Sequence, residues 1–241
     1  MRSTLGQENG AEIESSPEVT IGTTEAVFFD VFGTLVDWRS SLIKDLTTFG
    51  MSRQLSCDWP KFVDEWRAAS PQAMMQVRKN LRGWTNLDVL LHESASNLLI
   101  AHGLEVTTED REWLVGRWAG LTPWPDVKDG LIAINMRFRT ATLSNANHSL
   151  LSALCNSAQL RFTKIFCAET FQHYKPDPEI YLGAAGEMNL HPTSIALVAS
   201  HSYDLEAAQS LGFKTVLLSR PEEHGGSQSP RPPNTGSLIT S

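Results

Sequence analysis

Cysteine is scarce in this chain, with three residues in 241. Cys57, Cys155 and Cys167 are odd in number, widely spaced and without a CxxC pair, which argues against a disulfide frame or a zinc site and leaves reduced thiols used as small core residues. Basic charge is also short: 20 Lys and Arg stand against 27 Asp and Glu, a formal net charge of -7. With no basic face, neither nucleic acid nor an anionic membrane is an expected partner. Long apolar runs are missing. No stretch has the length needed to span a bilayer, and residues 1–19 are polar and acidic without the apolar region of a secretion signal, so the expected location is cytoplasmic. No internal repeat is apparent.

The length suffices to bury a sizeable core, as one domain with an insertion or as two small domains. Residues 1–24 lack hydrophobic periodicity and read as a flexible arm. A strand is expected at about 25–30, followed by a helical stretch, 38–123, with turn and capping signals between its helices. In it a helix runs from Ser40 to Phe49, and Asp58 caps another that reaches about Ala69. Pro71 opens a third to Arg82, and Thr85 with Asp88 has the spacing of a capping box for a fourth, ending at His102-Gly103. The last begins at Thr107 or Thr108, with Trp113, Leu114 and Trp118 on its inner side. All seven tryptophans fall in or beside this insert. They either build its small core or wall a dry pocket. From residue 124 to 221 strands and helices alternate, which predicts a parallel sheet with right-handed crossovers. The Gly- and Pro-rich stretch 222–241 reads as a disordered tail.

Within this α/β pattern the apolar strand Ala26-Val27-Phe28-Phe29 stops on Asp30, and Gly33-Thr34 turns the chain away from the sheet. A carboxylate at the carboxyl end of a buried strand is either a turn cap or a ligand-facing group, because open α/β sheets bind ligands at that edge. Ser144-Asn145 closes the next core strand, where a hydroxyl and backbone N–H groups before a helix suit a carboxylate. Lys175 precedes a proline in an extended loop, and the helix that follows would point Tyr181 back towards the same edge. Ser200-His201-Ser202-Tyr203-Asp204 follows the fourth core strand.

Taken together, these four segments resemble the four motifs of the haloacid dehalogenase superfamily, over roughly residues 25–220. Asp30-Val31-Phe32-Gly33-Thr34-Leu35 has the form seen in type II (S)-2-haloacid dehalogenases. The resemblance implies a Rossmann-like doubly wound core with an all-helical cap. It implies that Asp30 is a nucleophile, that Thr34 orients it, and that Lys175 keeps it ionised, with Asp204 as partner of Lys175 and as general base. Ser144 and Asn145 would hold the substrate carboxylate, Tyr181 would help to bind it, and Arg67 would receive the departing halide or, alternatively, lie along its own helix at the surface. The superfamily's phosphatases carry a second Asp where this chain has Phe32, and a further metal-holding acid where it has Ser200 or Tyr203. A phenyl ring cannot donate a proton to a leaving group, and too few carboxylates remain for Mg²⁺. The implied reaction is therefore cofactor-free and metal-free hydrolysis of a small 2-haloacid or related carboxylate to a D-2-hydroxyacid. Whether the protein forms a homodimer is left open. His201 stands where the dehalogenases have Asn and either positions the hydrolytic water or bonds its own loop. The rivals are a phosphatase or phosphonatase of the same superfamily and a non-catalytic binding protein on the same scaffold.

Overall fold

The structure, a computed structural model, describes residues 24–226 and the strand at 238–240. The chain runs β1 (Ala26–Phe29), β2 (Val36–Asp37), α1 (Trp38–Arg53), α2 (Trp59–Arg78), α3 (Leu87–Ala101), α4 (Thr108–Gly116), β3 (Thr122–Pro123), α5 (Val127–Asn135) and β4 (Arg139–Ser144). It continues through α6 (His148–Ala158), β5 (Lys164–Cys167), α7 (Ala168–Phe171), α8 (Pro178–Glu187), β6 (Ile195–Ala199), α9 (Ser202–Ser210), β7 (Lys214–Leu218) and β8 (Leu238–Thr240). The main sheet is parallel, in the order β5-β4-β1-β6-β7-β8. Crossovers leave β1 on one side towards β4 and β5 and return on the other through β6 and β7, so the strand order reverses at β1. Ligands bind at such a reversal. Every residue of β1 and β6 is buried, as expected of strands covered on both faces. Phe29 is level with Thr142 of β4 and Val198 of β6, which brings the loops after all three strands to one edge.

β2 and β3 form a two-residue antiparallel ribbon, Val36 opposite Pro123, between which the chain is helical. Asp37 caps α1 by accepting from the Ser40 N–H, Asp58 caps α2 through the Lys61 N–H, and Thr107 with Asp110 forms a reciprocal capping box on α4. The Trp66 indole on α2 donates to the Leu91 carbonyl of α3 at 3.0 Å and meets Trp118 edge-on at 5.5 Å. These contacts tie α2 to α3 and to the turn that carries Trp118.

Several local expectations are corrected. α2 is one helix that runs through Pro71 to Arg78, because Trp66, Ser70, Met74 and Val77 bury one continuous face and outweigh the backbone bond that proline forgoes. The capping box at Thr85 and Asp88 does not form. Thr85 donates to the Gly83 carbonyl, while Asp88 accepts from Asn147 across to α6. Trp113 is not on an inner face: it is about one-third exposed, stacked on Phe49 with the Arg117 guanidinium over it. The expected tail does not start at Glu222, since Glu222–Gly226 form a turn that seats Glu223 inside the molecule. The arm at 1–24, apart from Thr24, and residues 227–237 lie outside the described residues. Among the described residues no helix is long and apolar enough to cross a membrane.

Candidate active site

Asp30 follows β1, and its own N–H still donates to the Val198 carbonyl of β6, so the sheet ladder holds the carboxylate in place. One oxygen, Oδ1, accepts from Lys175 Nζ at 3.2 Å. The other, Oδ2, accepts from Thr34 Oγ1 at 2.7 Å and lies 3.2 Å from His201 Nδ1. Burial by itself would raise the Asp30 pKa. The Lys175 charge, the His201 hydrogen bond and charge, and Thr34 together outweigh burial and hold the carboxyl well below the usual carboxylate range. Thr34 can orient Asp30 because it is itself fixed, accepting from the Ser200 N–H at 2.9 Å.

Lys175 Nζ also donates to Asp204 Oδ2 at 2.5 Å, and the Tyr181 hydroxyl donates to Asp204 Oδ1 at 2.6 Å. Burial opposes the charge on Lys175, but the two carboxylates prevail and keep it protonated. Burial is also the largest influence on Asp204 and pushes its pKa up. Two expectations change here. Tyr181 is fully buried and supports the Asp204 carboxylate instead of lining the cavity, because α8 turns its hydroxyl to Asp204 and its ring against Phe213. Asp204 has both oxygens engaged, is 1% exposed and does not line the cavity.

The remaining expected residues face a cavity of about 640 Å³ between the sheet edge and the helical insert. Asp30, Phe32, Ser144, Asn145, Lys175 and His201 form its core side, and Arg67 enters from α2. The Arg67 guanidinium lies 5.5 Å from the Trp38 ring centre. Phe32 packs edge-on against Trp118 at 5.5 Å. Asn145 spends its side-chain carbonyl on the Lys175 N–H, at 2.7 Å, and thereby ties the loop after β4 to the loop that carries the lysine. Trp38 and Trp118 wall the cavity, whereas Trp59 and Trp66 serve the insert's core. The indole N–H of Trp118 is buried without a hydrogen-bond partner among the described residues.

The sequence reading missed Glu223. Its Oε1 lies 3.0 Å from His201 Nε2 and accepts from the Trp38 indole at 3.0 Å, and its Oε2 accepts from Ser200 Oγ at 3.4 Å. No local signal marks it, because a glutamate ahead of a Gly-Gly-Ser stretch reads as the start of a solvated tail. Held between Asp30 and Glu223, His201 has its pKa pushed up to about 9, the two carboxylates overcoming the opposite effect of burial. His201 is thus a charged partner of the nucleophile as well as a loop residue.

A divalent cation does not suit this donor set. Lys175 Nζ stands between Asp30 and Asp204, Glu223 is spent on His201, and Phe32 and Ser200 occupy the positions where acids would be needed. Among the described residues no group of three or more His, Cys, Asp or Glu side chains is placed to hold a metal ion.

A family model of haloacid dehalogenase-like hydrolases matches residues 24–212. The chain is 26% identical over 204 residues to (S)-2-haloacid dehalogenase 4A of Burkholderia cepacia, an alignment covering 83% of this chain and 85% of the relative. Among solved structures, the L-2-haloacid dehalogenase PA0810 superposes with a TM-score of 0.84 at 39% identity, over 86% of this chain and 88% of that one. The defluorinating L-2-haloacid dehalogenase Rha0230 gives 0.83 at 36% identity, covering 85% of each. The matched segment contains Asp30, Thr34, Ser144, Lys175 and Asp204 and ends before Glu223, and the chain belongs to the haloacid dehalogenase-like hydrolases.

Proposed function

We propose that this hydrolase cleaves the carbon–halogen bond of short L-2-haloacids without a metal ion and releases D-2-hydroxyacids. The observation that carries the reading is an ionised Asp30 lining the cavity together with Phe32, a side chain that cannot donate a proton, two residues on, where the resemblance puts the acid that protonates a leaving group. A halide needs no proton to leave. An alkoxide does.

Asp30 attacks C2 from behind the carbon–halogen bond and forms an ester, which splits one hard displacement into two easier steps. Oδ1 has one donor and Oδ2 has two, so Oδ1 retains more of its electron density and is the attacking atom. Ser144 and Asn145 hold the substrate carboxylate at the end of β4, and Arg67 takes the halide on the insert side. Phe32 and Trp118 keep water from the carbon under attack. Water then attacks the Asp30 carbonyl carbon and leaves C2 untouched, so the one inversion at C2 persists in the product.

Halide release from the two enantiomers of 2-chloropropionate, with and without EDTA and beside an aryl phosphate, tests this. Halide is expected from the L enantiomer alone, at a rate that EDTA does not change. Phosphate release that chelation abolishes and Mg²⁺ restores would place the chain among the superfamily's phosphatases instead.

A further inference from the structure

We propose that His201 and Glu223 form a base dyad switched on by the alkylation of Asp30: His201 loses its proton when the ester forms and takes one back from the water that cleaves the ester. The proposal rests on the ester mechanism above and adds to it the proton acceptor that Asp204 cannot supply.

The geometry is that of a base held by a third group. His201 Nδ1 lies 3.2 Å from Asp30 Oδ2, beside the carbonyl carbon that water must attack, and Nε2 lies 3.0 Å from Glu223 Oε1. Glu223 is fixed in turn by Trp38 and Ser200 and is nearly fully buried, while His201 and Glu223 both line the cavity, where water has access. The titratable and charged groups around the imidazole are Asp30 after β1, Lys175 before α8, Tyr203 and Asp204 on α9, which His201 precedes, Arg67 on α2, and Glu223 with His224 on the C-terminal turn. In the resting enzyme two carboxylates hold the proton on His201. Esterification removes one of the two carboxylates bonded to His201 and leaves Glu223 as the other, while Lys175 stays paired with Asp204, so the imidazolium releases its proton through the cavity. Neutral His201 is then a competent base, poised near working pH.

The balance closes. In the first half, Asp30 carboxylate and the haloacid give ester and halide, and His201 gives up one proton. In the second, water adds to the ester carbonyl, its proton passes to Nδ1, and the tetrahedral species expels the alkoxide, which takes the remaining hydroxyl proton. Asp30 carboxylate, imidazolium and hydroxyacid result. One proton and one halide leave per turnover, both in the first half.

Stopped-flow mixing of the wild-type enzyme with L-2-bromopropionate, whose good leaving group makes ester hydrolysis limiting, would follow halide and a pH-indicator dye together, with the ester measured by quenched mass spectrometry of the Asp30 peptide. A proton burst equal to the halide burst is expected, and a halide burst with protons released only in the steady state would overturn the dyad. Glu223→Gln keeps an acceptor oxygen for Trp38 and removes the charge. It should leave ester formation within a few-fold, slow hydrolysis by about 10–100-fold, and move the pH dependence of hydrolysis, with Glu223→Asp recovering part of the loss. A normal hydrolysis rate and pH profile in a folded Glu223→Gln enzyme would also overturn it. Absence of any ester on Asp30 in the wild type is a different result, because it removes the dehalogenase mechanism itself.

Discussion

A carboxylate stays ionised inside a protein only with compensation close by, and Asp30 has two cations within 3.2 Å of its oxygens. That arrangement makes a nucleophile ready at neutral pH. Asp30→Asn is expected to lower dehalogenation by at least about 10⁴-fold, the scale on which loss of a nucleophile is felt. In a single turnover of wild-type enzyme in ¹⁸O-water the label should enter Asp30, since hydrolysis breaks the ester at the protein's carbonyl. Label found first in the hydroxyacid, with Asp30 unlabelled, would mean direct displacement by water. The same cluster makes folding depend on pH. His201 has a folded pKa raised from 6.5 to about 9, so its contribution to stability is complete below pH 6.5 and is lost as pH rises through 9. Each tenfold gain in proton affinity on folding is worth roughly 1.4 kcal/mol, so thermal melts should fall by several degrees between pH 6.5 and 9. His201→Gln should flatten that slope, and an equally steep slope in the variant would assign the titration elsewhere.

At the scale of elements, the turn between β1 and β2 does two jobs. Gly33 adopts φ +88, and a Cβ there would overlap Glu223 Oε1, so glycine serves both the left-handed turn and the seat of the glutamate. Its carbonyl accepts from the Trp124 indole at 2.9 Å, which ties the turn to the exit of the helical insert. Gly33→Ala is expected to cost about 1–3 kcal/mol through backbone strain and to slow ester hydrolysis in the manner of Glu223→Gln. A crystal structure of the variant with Glu223 unmoved would refute the second part. Helix α2 shows the other side of element-level reasoning. Its interior proline reads as a helix start in the sequence, yet one buried face from Trp59 to Val77 carries the helix through. Arg67 owes its place over the cavity to this helix.

For the whole molecule, the cavity exists only because the β2–β3 ribbon closes a helical insert over the carboxyl edge of the sheet. Its charges come from parts of the chain distant in sequence: Asp30, Asp64, Arg67, Arg78, Lys175, His201 and Glu223. The insert supplies Asp64, Arg67 and Arg78 from α2, and Arg67 lies 5.5 Å from the Trp38 ring. Arg67→Ala should lower kcat by about 10²-fold if it stabilises charge developing on the halide, a typical loss for one such donor. The effect should be larger for chloride than for iodide as leaving group, because iodide needs less help. A change in KM alone, equal for all halides, would assign Arg67 to ground-state binding.

Much of this is legible in the residues. The strand ending at Asp30, the βα alternation after residue 124 and the helical run before it follow from local periodicity and turn chemistry, which act over a few residues and leave their mark in order. Thr34 and Ser144 can be placed because each sits by a strand end, and Lys175 because it precedes a proline ahead of a helix. What depends on packing is out of reach. The motif pattern puts Tyr181 at the substrate, but the rotation of α8 turns it under Asp204; the same pattern lets Asp204 meet water, but the ammonium of Lys175 stands between it and the cavity. Glu223 carries no signal at all. Its role arises from 22 residues of chain returning from His201 to place a carboxylate against the imidazole, a contact fixed by the tertiary fold and by the indole of Trp38 from across the molecule. Sequence determined which groups the chain possesses and which elements present them; only the folded structure decided which charges became neighbours, because burial and distance set the strength of their interaction and neither is a local property of the chain.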